Sequence, residues 1–190
     1  MTQLLTLSLI VLLSLPIGSS VDAQSKTTKI FFLEDIHHKE WCAYANESIW
    51  KSSVDSLGAM TVGSLNYEKD QLAVVDVTEG DEAGDWMVYD HYTVDPRGEP
   101  LRDERKNNIL PGRRSVEETY VIQNGKATRQ SSSVRSLTTG GSLSDPEQWL
   151  PKVPVITHAK DFPFAALIVQ KYPEAFSHGK VCVPFKRPGG

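Results

Sequence analysis

Several groupings of side chains in this sequence have the residue types that chemistry requires. The first is Glu34-Asp35-Ile36-His37-His38-Lys39-Glu40. Side chains two apart on a strand share a face, so Asp35 and His37 point together there. A carboxylate beside an imidazole begins a zinc or copper site, which needs at least one more ligand from elsewhere. Nothing in the sequence names that ligand, and a solvated strand end uses the same residues without a metal. The second grouping is the acidic stretch with Glu79, Asp81, Glu82 and Asp85. Carboxylates on a loop can bind calcium, but this spacing does not match the calcium-loop pattern. A charged hairpin turn that discourages edge-to-edge pairing is the favoured account of it.

The third grouping lies in Trp86–Val94. Period two puts Trp86, Val88, Asp90, Tyr92 and Val94 on one face, and all of these except Asp90 are apolar or aromatic. A carboxylate on such a face needs a partner, which Arg102, Arg105 or an arginine on a later strand can supply. The result is either a structural ion pair or a perturbed acid in a pocket. His91 faces the opposite side, so it forms no simple pair with Asp90 along the strand. The fourth grouping is the basic set Arg102, Arg105, Lys106, Arg113, Arg114, Arg129 and Arg135, interleaved with Asp103, Glu104, Glu117 and Glu118. Mixed signs on neighbouring strands make cross-strand pairs and argue against a nucleic-acid track, as does the net charge of -4. There is no Gly-x-Ser-x-Gly elbow, phosphate loop, Gly-x-Gly-x-x-Gly or His-Glu-x-x-His. No cofactor is expected.

The elements that must position these groups are mostly strands. Lys29–Ile36 has the apolar cluster of a short strand, and Trp41–Ala45 fits a second. Asn46 is a good N-cap, and Ile49, Trp50, Val54 and Leu57 follow at near-helical spacing, so residues 47–56 read as a short helix or, in competition, as a strand with a polar face. Met60–Tyr67, Leu72–Thr78, Trp86–Val94, Leu101–Leu110, the strand around Val116–Ile122, and Ala127–Thr138 are separated by polar or Gly/Pro turns. Asn124-Gly125 fits a two-residue hairpin turn whose central residues both need positive φ. Asp145-Pro146-Glu147 starts a helical turn, Pro151 and Pro154 keep the chain extended, and Phe164–Lys171 forms an apolar helix that Pro173 stops. Lys180–Phe185 is a last short strand.

The chain begins with Leu4–Ile17, an almost wholly apolar run without a charge. It is short for a membrane span, and Val21-Asp22-Ala23 suits a signal-peptidase groove. Residues 1–23 are therefore expected to be a signal peptide, and residues 24–190 a single exported β-rich domain in a periplasm or outside the cell. No later segment is apolar enough for a transmembrane helix. In an oxidising compartment Cys42 and Cys182, the two cysteines of the chain, are most simply one disulfide. Asn46-Glu47-Ser48 has the pattern of a glycosylation acceptor, which matters in a host that glycosylates such sites.

These features predict an α+β fold: a curved antiparallel meander of about six strands over residues 60–139, covered by short helices, mainly the C-terminal one. The expected inside face carries Trp86, Val88, Tyr92 and Val94 with Tyr120 and Ile122, packed by Phe164, Leu167 and Ile168. Trp86, Val88, Asp90, Tyr92 and Tyr120 are the candidate ligand-binding residues. The expected role is non-enzymatic binding of a small apolar or amphipathic ligand, or of an envelope protein, in the hollow of the sheet. The alternatives are a hydrolase-like enzyme around Asp90, His91 and the neighbouring arginines, and a structural envelope-interaction protein without a pocket.

Overall fold

A computed structural model describes residues 28–36, 39–53, 61–81, 83–144, 150–169 and 179–184. The expected signal peptide, His37, His38, Glu82 and the helical turn at residues 145–147 lie outside the described residues.

The meander expected from turn spacing is present as six consecutive strands: β3 (Thr61–Glu68), β4 (Gln71–Gly80), β5 (Trp86–Val94), β6 (Pro100–Ile109), β7 (Arg114–Gln123) and β8 (Lys126–Ser136). Turn chemistry explains the hairpins. Asn124 and Gly125 have φ of 53° and 71°, the left-handed pair that a two-residue turn requires. Lys69 and Asp70 take the same conformation at φ 51° and 61° without a glycine. After β5, Asp95 closes the turn, its carbonyl accepting the Gly98 N–H at 2.8 Å.

The sheet is wider than the six-strand expectation. It has nine strands, all paired antiparallel, in the order β8-β7-β6-β5-β4-β3-β1-β2-β9. The added strands are β1 (Thr28–Ile36), β2 (Glu40–Tyr44) and β9 (Lys180–Pro184). The sequence marked each of them as a short strand, but local patterning does not say that they join the meander. That pairing depends on β1 lying beside β3 and on β9 lying beside β2. Cys42 and Cys182 are register partners there, and they are joined in a disulfide with an S–S distance of 2.09 Å.

One face of the sheet, called inner here, is covered by the segment after β8. Its apolar half is the core, with Phe31, Leu33, Leu65, Val75 and Tyr92 under Phe162, Phe164, Leu167 and Ile168. Phe162 meets Tyr92 edge-on at 5.2 Å, and Phe164 meets Trp41 at 5.0 Å. The covering differs from expectation. The C-terminal helix α2 is described over Ala165–Val169, residues 170–171 of the expected helix lying outside the described residues, and an extended strap from Leu150 to His158 shares the cover. Pro151 and Pro154 cannot continue a helix or donate to a ladder, which keeps the strap extended. On the opposite, outer face, helix α1 (Glu47–Ser53) lies against the β1 side, with Trp50 stacked on Phe32 at 5.3 Å. Asn46 Oδ1 caps it by accepting the Ile49 N–H at 2.9 Å. No helix among the described residues is long and apolar enough to cross a membrane.

Candidate functional site

Strand register builds the candidate site. Val77, Asp90, Arg105 and Glu118 are successive cross-strand partners on β4, β5, β6 and β7, and Val75, Tyr92, Asp103 and Tyr120 form the next row on the same face. Along these two rows the inner face is apolar on β4 and turns polar from Asp90 on β5 through β6, with Ile109, Val116, Ile122 and Val134 as buried apolar residues at other positions of β6 to β8. β6 explains the change. Its buried positions include Asp103, Arg105 and Asn107, while Leu101 and Leu110 are about half exposed at 48% and 51%.

Arg105 holds the centre. Its Nε donates to Asp90 Oδ1 at 2.6 Å and its Nη2 to Asp90 Oδ2 at 2.9 Å, a two-pronged bond between side chains that are both nearly enclosed. The remaining donors leave the sheet. Nη1 reaches the Val153 carbonyl at 2.6 Å and Nη2 the Pro154 carbonyl at 3.3 Å. The Tyr92 hydroxyl donates to Asp90 Oδ2 at 3.4 Å and accepts the Ile156 N–H at 3.1 Å. The strap is therefore tied to the sheet by side chains rather than by a strand ladder. At its end, the Ala159 N–H donates to Glu99 Oε2 at 3.1 Å. His158 lies over Gly125, where any side chain would collide with the imidazole.

The electrostatics follow from burial. Burial pushes the Asp90 carboxyl up, against the pull of Arg105. For Arg105, burial disfavours the charge, but the bonds to Asp90 outweigh it, so the guanidinium holds its proton more tightly than a free arginine. Burial, reinforced by the charge of Asp90, pushes Asp103 up to about 8. Asp103 has no exposed surface and neither oxygen has a well-formed hydrogen bond among the described residues; its nearest cation is Arg105, with Nε 3.7 Å from Oδ2. Beyond the strap, Glu118 accepts from Arg129 Nη1 at 3.0 Å and from Asn107 Nδ2 at 3.4 Å. Burial and the adjacent Glu118 push Tyr120 up to about 12.

The five candidate ligand-binding residues do share this face, but in different settings. Val88 and Tyr92 are core, Asp90 is locked to Arg105, and Trp86 and Tyr120 are only partly buried. Phe164, Leu167 and Ile168 share the core cluster with Tyr92, Val94 and Ile122 as expected, whereas Trp86, Val88 and Tyr120 are not part of that cluster. Asp90 and His91 are not brought together. His91 stands on the outer face, where its Nδ1 is 2.7 Å from Asp76 Oδ1. The other Asp76 oxygen accepts from Ser64 Oγ at 2.7 Å and Asn66 Nδ2 at 2.9 Å. Ser64 bonds the carboxylate, not the imidazole, so these three residues do not form a nucleophile–base–acid relay. A polar groove of about 430 Å³ adjoins His91, lined by Glu104, Lys106, Glu117, Thr119 and Ser131 among others.

The other groupings have structural partners. Asp81 Oδ1 accepts the Trp86 N–H at 3.2 Å, which orders the acidic turn. Arg102 pairs with Glu104 at 3.0 Å and Arg135 with Glu117 at 3.4 Å, both exposed. Among the described residues, one trio of potential metal ligands converges, Glu40 with Cys42 and Cys182, and its two sulfurs are bonded to each other. Sequence reasoning missed Asp76, Asn107 and the enclosure of Asp103. The signal for the last two was present: period two along Asp103-Glu104-Arg105-Lys106-Asn107 puts all three odd positions on the Asp90 face. No family model matches the chain, and no curated protein or solved structure matches it either.

Proposed function

We propose that this chain is an exported, non-enzymatic binding protein, and that its ligand is an amphipathic molecule taken up on the inner face where the strap now lies. One observation carries this: an extended segment rests on an apolar sheet face and is anchored at preset polar points. Val155 and Ile156 are half-buried against the core, Lys152 and Pro154 are exposed, and the anchors are Arg105 and Tyr92. An apolar body with one polar end matches the same track, with Arg105 and Tyr92 as anchors and Trp86 and Tyr120 at its margins. The disulfide supports an oxidising compartment, in keeping with the apolar run Leu4–Ile17.

The test is a titration with dodecanoate, followed by native mass spectrometry, on the wild-type chain and on a Val155→Ser/Ile156→Ser variant whose near-UV circular dichroism is unchanged. A competing strap lowers apparent affinity by the fraction of open sites, so the variant should bind at least about threefold more tightly. Absence of binding to both proteins would overturn the proposal and leave the structural role. A hydrolase-like enzyme is the second reading, and it would use His91 rather than Asp90. Asp76 on Nδ1 leaves Nε2 of His91 as the nitrogen able to exchange a proton with a substrate in the adjoining groove. Turnover of a chromogenic ester or glycoside that His91→Ala abolishes would favour it.

A further inference from the structure

We infer that Asn46 is an N-glycosylation site. The inference rests on the export reading above. Asn46-Glu47-Ser48 is the one Asn-x-Ser/Thr triplet in the sequence; the other asparagines, Asn66, Asn107, Asn108 and Asn124, are followed two residues later by Glu68, Ile109, Leu110 and Lys126. A glycan can stand only where the chain meets solvent. Asn46 lies in the link between β2 and α1, Glu47 and Ser48 are the first two residues of α1, and all three are exposed. By contrast Asn107 is buried at 3% and Asn66 is tied to Asp76 and Ser64.

The local chemistry is compatible with modification. The cap on α1 uses the amide oxygen of Asn46, which accepts the Ile49 N–H at 2.9 Å. Glycosylation uses the amide nitrogen. Nδ2 forms a bond to the anomeric carbon of an oligosaccharide carried on a lipid diphosphate. The bond from that carbon to the phosphate oxygen breaks, the lipid diphosphate leaves with the electron pair, and one amide proton passes to base. Oδ1 stays a carbonyl oxygen, so the modified residue keeps its cap. The neighbouring Lys51–Glu47 pair is on the surface at 2.6 Å, with both side chains more than half exposed, and gives way without disturbing the core. The disulfide places folding in the kind of oxidising compartment where this transfer occurs in secretory cells.

The experiment is expression of the full chain, with its own leader, in a cultured animal cell. The secreted product is analysed by intact mass before and after peptide-N-glycosidase treatment. The expected product carries one glycan, which the enzyme removes while converting Asn46 to Asp. Asn46→Gln should lack it, and so should Ser48→Ala, which leaves Asn46 and its capping oxygen in place. The second variant separates loss of the glycan from loss of the fold. A secreted wild-type product at the bare polypeptide mass would overturn the site while export stands. A product retained in the cytosol with its leader intact would overturn export and the glycan together.

Discussion

Replacing Asp103 by Asn probes the centre of the inner face through one ionisation. The Asp103 carboxyl is fully enclosed on β6 and is pushed up to about 8 by burial and by Asp90. In the unfolded chain an aspartate titrates near about 3.9. Between those values the folded state holds a proton that the unfolded state has released, so stability falls as pH rises. The contribution is complete below the unfolded value and is lost as pH passes up through about 8. Each pH unit is worth about 1.4 kcal/mol, which sets a ceiling of about 4 kcal/mol between pH 5 and 8. Water entry and small shifts of Arg105 reduce this, so a relative loss of about 1–4 kcal/mol is expected over that range. Asparagine has the same shape and cannot ionise. Asp103→Asn should therefore gain on the wild type steadily from pH 5 upward and exceed it in stability at pH 8. Asp90 and Glu79 are also pushed up by burial, while the backbone N–H groups of Glu99 and Arg97 hold Asp95 down despite its slight burial. All three remain in both proteins, so the difference between the two curves reports Asp103 together with its coupling to Asp90. The assay is urea unfolding, followed by tryptophan fluorescence in half-unit steps of pH. Parallel curves, or a wild type that gains on the variant toward pH 8, would refute the reasoning.

Three other perturbations test the frame around that group. Cys42→Ala/Cys182→Ala opens a loop with a sequence separation of 140. In the chain-entropy model this costs about 4–5 kcal/mol, measured by urea unfolding against the oxidised wild type. Leu167→Ala removes an apolar side chain with no exposed surface from the contact between α2 and the sheet. It should cost about 2–5 kcal/mol in the same assay. Tyr92→Phe deletes the hydroxyl between Asp90 and the Ile156 N–H. It should cost about 1–3 kcal/mol and speed hydrogen exchange at Ile156; an unchanged exchange rate there would show that the strap is held by something else.

What was legible in the sequence was local. Period two in Trp86–Val94 put Val88, Asp90, Tyr92 and Val94 on one face, and each is buried. Asn124-Gly125 announced its own turn because positive φ at two successive positions is a demand on residue type. The need of Asp90 for a partner followed from its face, and Arg105 fills it. Two things were not legible. The expected disulfide brought β2 and β9 together, but the nine-strand order also depends on the β1–β3 pairing, which no local pattern encodes. The strap was hidden because its bonds run from Arg105 and Tyr92 to backbone groups, and a carbonyl at Val153 or an N–H at Ile156 has no signature in residue type. The asymmetry of the inner face was hidden for a related reason. Asp103, Arg105 and Asn107 look like a solvated strand until a covering segment is laid over them.

The order of strands also sets an order of events. From β3 to β8 every neighbour in the sheet is a neighbour in sequence, so each pairing closes a short loop. The β2–β9 pairing instead brings together residues with a separation of 140, and loop-closure entropy grows with that span. Before the meander exists, the two thiols meet at the low effective concentration of a long flexible chain. Once it exists, the sheet presents Cys42 on β2 at a fixed place and the returning chain needs only to dock. Oxidation of this pair is therefore favoured once the meander has been built and β9 has docked beside β2. In a compartment where misfolded chains are oxidised at random, a protein with its two cysteines placed this way cannot be trapped by mispairing within itself. Its one wrong partner is another molecule.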